Sequence, residues 1–482
     1  MELQFYNSLS KTEERFKPLS QQSVSFYSCG PTVYWYPSIG NYKSYIAWDV
    51  LKKTLKFLGY KVNHVMNITD VGHLTDDDLL SSDTGEDKME KAAKRENKTV
   101  WDVARYYEDD FLKGLEKLHI ESPTTVCRAT DHIPEMIHMI EALLVKGHAY
   151  QTATGIYYDI ASFPQYGELS GNKLDQLSAH ASGRVEEREE KRSPHDFALW
   201  ILGKEQSMMW ESPWGKGYPG WHIECSAMAE KYLGSQIDLH MGGMDNKFPH
   251  HECEIAQTEG ASGKHPFVKT WLHAALITVD GQKMSKSKGN VYFLKDVEEK
   301  GFSLRAYRFL CVSTHYRSSM DFSWHALEQA KTTLQSIDRF VERLREVEKD
   351  GNVSMEFSQF INAALVQMMD SIQDDLNTPE YLANFFECMR QLNTMLDENN
   401  LNSAEAAAMI SFIETIDTPL TVLLPWKEEH HEIPDEVLRL VELRKQARID
   451  KDFARSDEFR DEIQKLGYIV EDKVQGMRVR KI

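Results

Sequence analysis

A short basic loop, QKMSKSKGN at residues 282–290, holds the lysines whose chemical use is most evident. Lys283 and Lys286 carry ammonium groups with rotatable donors, and serine and glycine residues surround them. Two such cations suit a polyphosphate whose negative charge grows as pyrophosphate leaves. The segment therefore predicts a loop that closes over nucleotide phosphates. For these residues taken alone, an exposed basic turn is the alternative.

Two cysteines, a histidine and a glutamate are the next group that could do chemistry. Cys29 ends an apolar segment, and Cys225 lies in GWHIECSAMAE. His250 and Glu254 stand four residues apart in FPHHECEIA, which places them on one face of a helix. Thiolate, imidazole and carboxylate are the ligands that zinc prefers. Buried cysteines that serve as small apolar residues remain the alternative, and Cys253 could also reach such an ion.

A glycine pair in HMGGMDNKF is a third, weaker signal. Gly242 and Gly243 would let a nucleotide approach the backbone, and the Asp245 carboxylate could accept hydrogen bonds from ribose hydroxyls. Two glycines followed by an aspartate more often form a turn. The role therefore depends on the segments around it.

The elements that must position these residues begin with an apolar strand at residues 24–29, a loop, a helix over 42–58 and a second strand at 61–66. This order predicts a βαβ unit in a parallel sheet, whose ligands lie beyond the C-terminal ends of the strands. Polar, glycine-containing segments interrupt the α/β pattern between 127 and 213 and predict an inserted domain. Amphipathic helices follow after Asp321.

Composition limits the class of protein. The 482 residues include 41% hydrophobic side chains and carry a net charge of -19, which argues against non-specific binding of nucleic acid but leaves room for a local basic surface. Six scattered cysteines favour free thiols over disulfides. We found no apolar run long enough for a membrane span and no leader, and we expect a cytoplasmic protein.

Sequence blocks along nearly the whole chain resemble the cysteinyl-tRNA synthetase family of class I aminoacyl-tRNA synthetases. In chain order these blocks are YSCGPTVYWYPSIGN, MNITDVGHLT, KRSPHDFALW, SPWGKGYPGWHIECSAMAEKYLG, DLHMGGMDNKFPHHECEIAQ, KMSKSKGN, HYRSSMDFS, DDLNTPE and KDFARSDEFRDEI. The resemblance implies activation of L-cysteine with ATP and Mg²⁺, then transfer to cysteine tRNA. We expect a monomer.

The resemblance also assigns residues. It implies one zinc ion held by Cys29, Cys225, His250 and Glu254. Cys253 would be a bystander, and Thr69 and Trp221 would line the amino-acid pocket. A metal–thiolate bond distinguishes cysteine from serine far better than an apolar pocket does, because a hydroxyl is a poor substitute ligand.

The phosphate site departs from the family pattern. The family's HIGH tetrapeptide is written SIGN here, as Ser38, Ile39, Gly40 and Asn41. Gly40 is retained for the approach of adenine, and Lys286, supported by Lys283, is assigned to the ATP phosphates. Ser38 and Asn41 can donate hydrogen bonds but carry no positive charge. The sequence leaves open whether His64 or His73 supplies a positive charge in place of the missing histidines.

We therefore expect an α/β fold with a Rossmann-like parallel-sheet catalytic domain, an inserted domain, an α-helical bundle and a small C-terminal α/β unit. The expected boundaries are 1–126 and 214–325 for the catalytic domain, 127–213 for the insertion, 326–425 for the bundle and 426–482 for an anticodon-binding unit. Two alternatives remain: a cysteine ligase that uses a small amine, and a degenerate cysteine- or tRNA-binding protein. The long helical and C-terminal segments favour tRNA.

Overall fold

A computed structural model describes residues 2–71, 88–172, 190–203, 206–284, 288–426, 434–450, 452–473 and 476–481. The chain forms two compact units, residues 1–424 and 425–482. Among the described helices, each is too short or too polar to cross a lipid bilayer.

The strands and helices are numbered in chain order. The strands are β1 (Gln4–Asn7), β2 (Thr12–Arg15), β3 (Ser23–Ser28), β4 (Lys61–Ile68), β5 (Thr125–Arg128), β6 (Ala149–Gln151), β7 (Gly155–Tyr158), β8 (Phe197–Leu202), β9 (Gly217–Pro219), β10 (Ile237–Gly243), β11 (Val268–Ala274), β12 (Ile277–Val279), β13 (Gln282–Lys283), β14 (Met320–Phe322), β15 (Tyr468–Lys473) and β16 (Gly476–Lys481). The helices are α1 (Ile39–Phe57), α2 (Lys88–Glu96), α3 (Val100–Lys117), α4 (Ile133–Lys146), α5 (Trp221–Leu233), α6 (His250–Ser262), α7 (Leu294–Glu299), α8 (Leu304–Val312), α9 (Trp324–Arg345), α10 (Met355–Gln373), α11 (Thr378–Asp397), α12 (Ser403–Ile416), α13 (Asp435–Ile449) and α14 (Phe453–Lys465).

The centre of the first unit is a five-stranded sheet in the order β11-β10-β3-β4-β5, with parallel pairs throughout. The chain runs outward from β3 to β4 and β5, and later returns on the other side of β3 as β10. The adjacent ends of β3 and β10 therefore form the switch point at which open α/β sheets bind ligands. The predicted Rossmann-like fold is confirmed.

The first βαβ unit matches the predicted order of elements, but its helix is longer at the start. Helix α1 begins at Ile39 rather than at residue 42, because Ser38 caps it and forms a capping box with Asn41. Strand β4 runs on to Ile68, and its last five residues are buried. Both extensions bring side chains closer to the switch point.

The insertion contributes an antiparallel sheet of β6, β7, β8 and β9 in that order. Strand β5 belongs to the parallel sheet instead, since Thr125–Arg128 pairs with the end of β4. The expected boundary between 126 and 127 thus falls within a strand of the catalytic sheet. The finer division into domains stays a prediction.

Helices α9 to α12 follow the catalytic sheet, and their apolar faces are buried at helical spacing, as in Ile337, Phe340, Val341 and Leu344 of α9. The C-terminal unit has its own small core. Helices α13 and α14 and the antiparallel pair β15–β16 pack around Val437, Ile463, Tyr468 and Val470. Arg444, one of the basic residues of its first helix, is buried at 3% exposure.

Candidate active site and metal centre

Four predicted ligands meet beside the switch point of the sheet. Cys29 directly follows β3, Cys225 lies on α5, and His250 and Glu254 lie one turn apart on α6. One ligand atom from each lies within 4.8 Å of the others, and all four side chains are buried. The convergence follows from topology, because the end of β3 faces the two helices that flank β10.

The ionisable side chains of this group lie close enough to shift one another's pKa values. Glu254 Oε1 lies 3.0 Å from His250 Nε2, and Glu254 Oε2 lies 2.9 Å from His240 Nε2. Burial would raise the pKa of Glu254, but the two imidazoles outweigh it and lower that pKa. Burial raises the pKa of the Cys29 thiol, and the hydrogen bond that Cys225 donates to Cys29, together with burial, raises the pKa of Cys225. A divalent cation would offset two thiolates and a carboxylate in this dry site, so the residues fit a metal ion.

Cys253 takes no part in this group. Its Sγ lies 3.4 Å from the Tyr166 hydroxyl, on the side of α6 that packs against the insertion. A second set of possible ligands shares two members with the first: Cys29, His240, His251 and Glu254 also offer atoms within 4.8 Å of one another. Both sets of possible ligands contain Cys29 and Glu254, so the candidate metal centre lies around these two residues.

A row of buried histidines leads to Cys29, and the sequence analysis did not assign it. Nδ1 of His273 lies 2.8 Å from Ser8 Oγ, Nε2 of His273 lies 2.9 Å from His251 Nδ1, and His251 Nε2 lies 3.4 Å from Cys29 Sγ. Burial lowers the pKa of His251 and of His273 well below the ordinary value, so both rings are neutral. The only sequence signal was the density of histidine in DLHMGGMDNKFPHHECEIA.

Three glycines at the strand ends lie close to neighbouring atoms. A Cβ on Gly30 would lie 1.7 Å from the backbone oxygen of Asn67, and one on Gly242 would lie 2.5 Å from the His251 ring. A Cβ on Gly243 would lie 2.4 Å from Asp245 Oδ1. Asp245 itself is exposed just beyond β10. Glycine therefore avoids a clash with the Asn67 backbone at position 30 and with the buried His251 ring at position 242, whereas the exposed Asp245 side chain could turn away from position 243.

Comparisons with known proteins agree with this geometry. The description "tRNA synthetases class I (C) catalytic domain" matches residues 15–332, "DALR domain" matches 367–424, and "Cysteinyl-tRNA ligase anticodon binding domain" matches 430–480. Cysteine--tRNA ligase from Chlorobaculum tepidum is 42% identical, and the match covers 98% of each chain. The enzyme of the same name from Treponema denticola is 41% identical over 100% of both chains. The chain belongs to the cysteinyl-tRNA synthetase family.

Solved structures with low sequence identity support the fold of this family member. Mycobacterium tuberculosis methionyl-tRNA synthetase with methionyl-adenylate has a TM-score of 0.60 at 14% identity, covering 90% of this chain and 96% of that one. The ternary complex of Agrobacterium radiobacter K84 agnB2 LeuRS with tRNA and LeuAMS has a TM-score of 0.59 at 10% identity and covers 85% of each chain. The antiparallel insertion and the helical region after the catalytic sheet belong to the same class I plan.

The SIGN tetrapeptide of this synthetase-family chain serves as a helix cap. Asn41 Oδ1 accepts hydrogen bonds from the Ser38 backbone N–H at 2.9 Å and from the Ser38 hydroxyl at 2.8 Å. The Asn41 N–H donates to Ser38 Oγ at 3.3 Å. Within the described part of the chain, Asn41 Nδ2 donates to no other group. The amide N–H bonds therefore remain available at the start of α1, where the helix dipole favours an anion.

The other phosphate-site predictions have mixed outcomes. Lys283 lies in the short strand β13 rather than in a loop, while Lys286 and His73 lie outside the described residues. His64 supplies no positive charge, because burial lowers its pKa to about 3. Its ring stacks on Phe26 at 4.3 Å and its Nε2 lies 2.8 Å from Ser28 Oγ. His64 therefore does not compensate for the missing histidines.

The predicted amino-acid pocket borders the metal centre. Trp221 stacks on the His250 ring with centroids 4.6 Å apart. Thr69 lies just beyond β4, and its backbone N–H donates to Pro31 in the loop after Cys29. Its hydroxyl donates to Glu224 at 2.9 Å. Glu224, which precedes the predicted ligand Cys225 and is fully buried, was not singled out from the sequence.

Proposed function

We propose that this chain activates L-cysteine with ATP and transfers the cysteinyl group to the 3′ end of cysteine tRNA. Family membership supports this reaction, and the buried group of thiols, imidazole and carboxylate beside the switch point carries the proposal. In the first step the cysteine carboxylate attacks the α-phosphorus of ATP, and pyrophosphate leaves. In the second step a terminal ribose hydroxyl of tRNA attacks the acyl carbon, and AMP leaves.

The proposed metal ligands are Cys29, Cys225, His250 and Glu254. A zinc ion held there would supply a Lewis acid that favours a thiolate over a hydroxyl as the substrate's ligand. The chain's own contribution is to bury the four donors and to keep water away from them. Because the nucleophiles belong to the substrates, catalysis rests on position and electrostatics.

The remaining substrate contacts follow from the pocket geometry. Thr69 and Trp221 border the metal centre and would hold the amino acid between them. Gly242 and Gly243 would let ATP lie against the end of β10, where the exposed Asp245 carboxylate accepts ribose hydroxyls. Gly40 would face adenine. With the substrates bound in this way, the cysteine carboxylate would lie between the proposed metal centre and the nucleotide.

The proposed phosphate donors lie at the start of α1 and in the KMSKS segment. The Nδ2 group of Asn41 and the helix N-terminus would bind the phosphates, with Ser38 keeping Asn41 in place through the capping box. Lys283 and Lys286 would neutralise the leaving pyrophosphate, which enters as ATP with Mg²⁺.

Cysteine-dependent exchange of pyrophosphate into ATP tests the first step, and charging of cysteine tRNA by the same preparation tests the second. We expect both activities, with serine giving exchange at least 100-fold more slowly because it lacks the thiolate. Comparable exchange with serine would contradict selection through the metal. Exchange without charging, together with transfer to a small amine, would contradict the role of tRNA.

A further inference from the structure

A one-way chain of hydrogen bonds runs along the proposed amino-acid pocket. The Gly30 N–H donates to Asn67 Oδ1 at 2.8 Å, Asn67 Nδ2 donates to Thr69 Oγ1 at 3.0 Å, and the Thr69 hydroxyl donates to Glu224 Oε2 at 2.9 Å. The first donor is a backbone N–H and the last acceptor is a carboxylate, so neither end can reverse its role. The orientation of every group between them is therefore fixed.

The fixed direction decides what Thr69 can offer a ligand. A hydroxyl has one proton and two lone pairs. The Thr69 hydroxyl donates its one hydrogen bond to Glu224, and it uses one lone pair to accept a hydrogen bond from Asn67. One lone pair remains, so Thr69 can accept a hydrogen bond from a substrate but cannot donate one. Such a group suits an ammonium and does not suit a carboxylate.

Two buried carboxylates close to Thr69 in sequence or by hydrogen bond also favour a cation as its partner. Glu224 is fully buried, and Asp70, the residue after Thr69, is 4% exposed. Burial first, and then the charge of Glu224, raise the pKa of Asp70 to about 6, so the two carboxylates share one poorly solvated region. A negative potential from buried carboxylates favours a cation beside Thr69.

We propose that Glu224 is a positioning residue that, together with Asn67, holds the Thr69 hydroxyl as an acceptor for the α-ammonium group of the amino acid. This inference rests on the proposed function. With the thiol directed to the metal centre and the ammonium directed to Thr69, the carboxylate is the one substituent of the substrate left to meet ATP. The chain of hydrogen bonds thus sets which end of the amino acid reacts.

A purely structural role is the competing interpretation, since the same chain links Gly30, next to Cys29, with Glu224, next to Cys225. Analogues of cysteine separate the two roles. Cysteamine keeps the thiol and the amine, whereas 3-mercaptopropionate keeps the thiol and the carboxylate. Inhibition constants for both compounds are measured by competition in cysteine-dependent pyrophosphate exchange with the full-length, zinc-loaded protein.

In Glu224→Gln we expect the KM for cysteine and the inhibition constant of cysteamine to rise roughly 10- to 100-fold, the range usual for residues that orient a binding group. The constant for 3-mercaptopropionate and the zinc content should stay unchanged. Thr69→Val should give the same pattern, and the double variant should lose little more. Glu405→Gln, which alters a buried carboxylate of the helical region, is the control and should alter neither constant.

Equal weakening of both analogues, or loss of zinc from Glu224→Gln, would overturn the inference and leave a structural role. No change in either constant would overturn it as well. Absence of cysteine-dependent exchange in the unaltered protein would instead contradict the proposed function, so the two failures are distinguishable.

Discussion

At the scale of single residues, the metal centre is set by which donors the sheet edge brings together. Cys253 stands one residue from Glu254 and is as buried as the proposed ligands, yet its sulfur contacts Tyr166. Burial and proximity in sequence therefore do not distinguish Cys253 from the proposed ligands on α6. The difference between them is the direction in which the side chain leaves the helix.

The pair Cys225→Ala and Cys253→Ala tests that distinction. We expect about one zinc ion per chain in the unaltered protein and in Cys253→Ala, and clear loss in Cys225→Ala because a four-ligand site loses one of its thiolates. Metal analysis of the purified proteins gives the result. If Cys253→Ala empties the site while Glu254→Ala keeps it, the proposed ligand set is wrong.

Asn41→Asp separates the two roles of the SIGN segment. Aspartate keeps the oxygen that accepts from Ser38, so α1 should remain capped and the stability should change little. It replaces the Nδ2 donor with a negative oxygen, and loss of one placed donor typically slows the chemical step by about 100- to 1,000-fold. Pyrophosphate exchange and thermal unfolding measure the two effects. An unchanged exchange rate would show that Asn41 serves only as a cap.

At the scale of elements, a buried arginine joins the catalytic sheet to the helical region. Arg308 on α8 pairs with Asp49 on α1 and donates to the backbone oxygens of Leu118 and Leu420 at 3.0 and 2.8 Å. Lys53 lies 2.7 Å from the same carboxylate. The pair thus connects the first helix, the turn before β5 and the end of α12 without exposure to water.

Removing that arginine should be costly. Arg308→Met leaves the buried Asp49 carboxylate with Lys53 as an ion-pair partner and the Glu121 backbone N–H as a donor, and we expect a loss of about 3 to 5 kcal/mol of unfolding free energy. Arg343→Met is a matched control, because the pair of Arg343 with Asp397 is exposed and should contribute no more than about 1 kcal/mol. Urea unfolding at neutral pH measures both. Equal losses of unfolding free energy in the two variants would mean that the buried pair stabilises the protein no more than the exposed pair does.

The same pair predicts a pH dependence. Burial alone would raise the pKa of Asp49, but Arg308 and Lys53 outweigh it and hold the pKa below the ordinary value. The stabilisation is therefore complete above about pH 4, the usual carboxyl pKa, and is lost as the pH falls through the lower pKa of the folded protein. In Arg308→Met burial is opposed less strongly, so the pKa of Asp49 in the folded protein rises and this loss of stability at low pH should shrink or disappear. Unfolding midpoints between pH 7 and pH 3 test this shift.

At the scale of the whole molecule, the two units divide the proposed reaction. The first unit holds the metal centre and the proposed ATP contacts, and the second, residues 425–482, has its own core and matches an anticodon binding domain. We therefore expect adenylate formation to need only the first unit and recognition of tRNA to need the second as well.

A chain that ends at Leu424 should therefore keep pyrophosphate exchange within about twofold and lose most charging of tRNA. The physical reason is that all proposed contacts to cysteine and ATP lie before residue 425, whereas phosphate and base contacts fix the position of a tRNA. Both assays are run on the truncated and full-length proteins. Parallel loss of exchange and charging would show that the second unit supports the catalytic unit instead.

The sequence by itself determined the class of fold, the family and the identity of the four proposed ligands. Apolar segments of strand length alternating with helical periodicity report on local structure, and the order of such segments limits the topology. Motifs such as KMSKSKGN and FPHHECEIA then fix the family, because their residue types and spacing serve one chemistry. None of these inferences needs a contact between distant residues.

The tertiary structure alone decided the contacts between segments far apart in the chain. The contact of His251 with Cys29, the link from Thr69 to Glu224 and the pair of Arg308 with Asp49 join residues separated by more than 150 positions. Sequence reasoning treated Asn41 as a phosphate donor only, and the structure showed that its side chain also caps helix α1 together with Ser38. Such contacts depend on where strand ends and helix faces converge, and local patterns carry no record of that convergence.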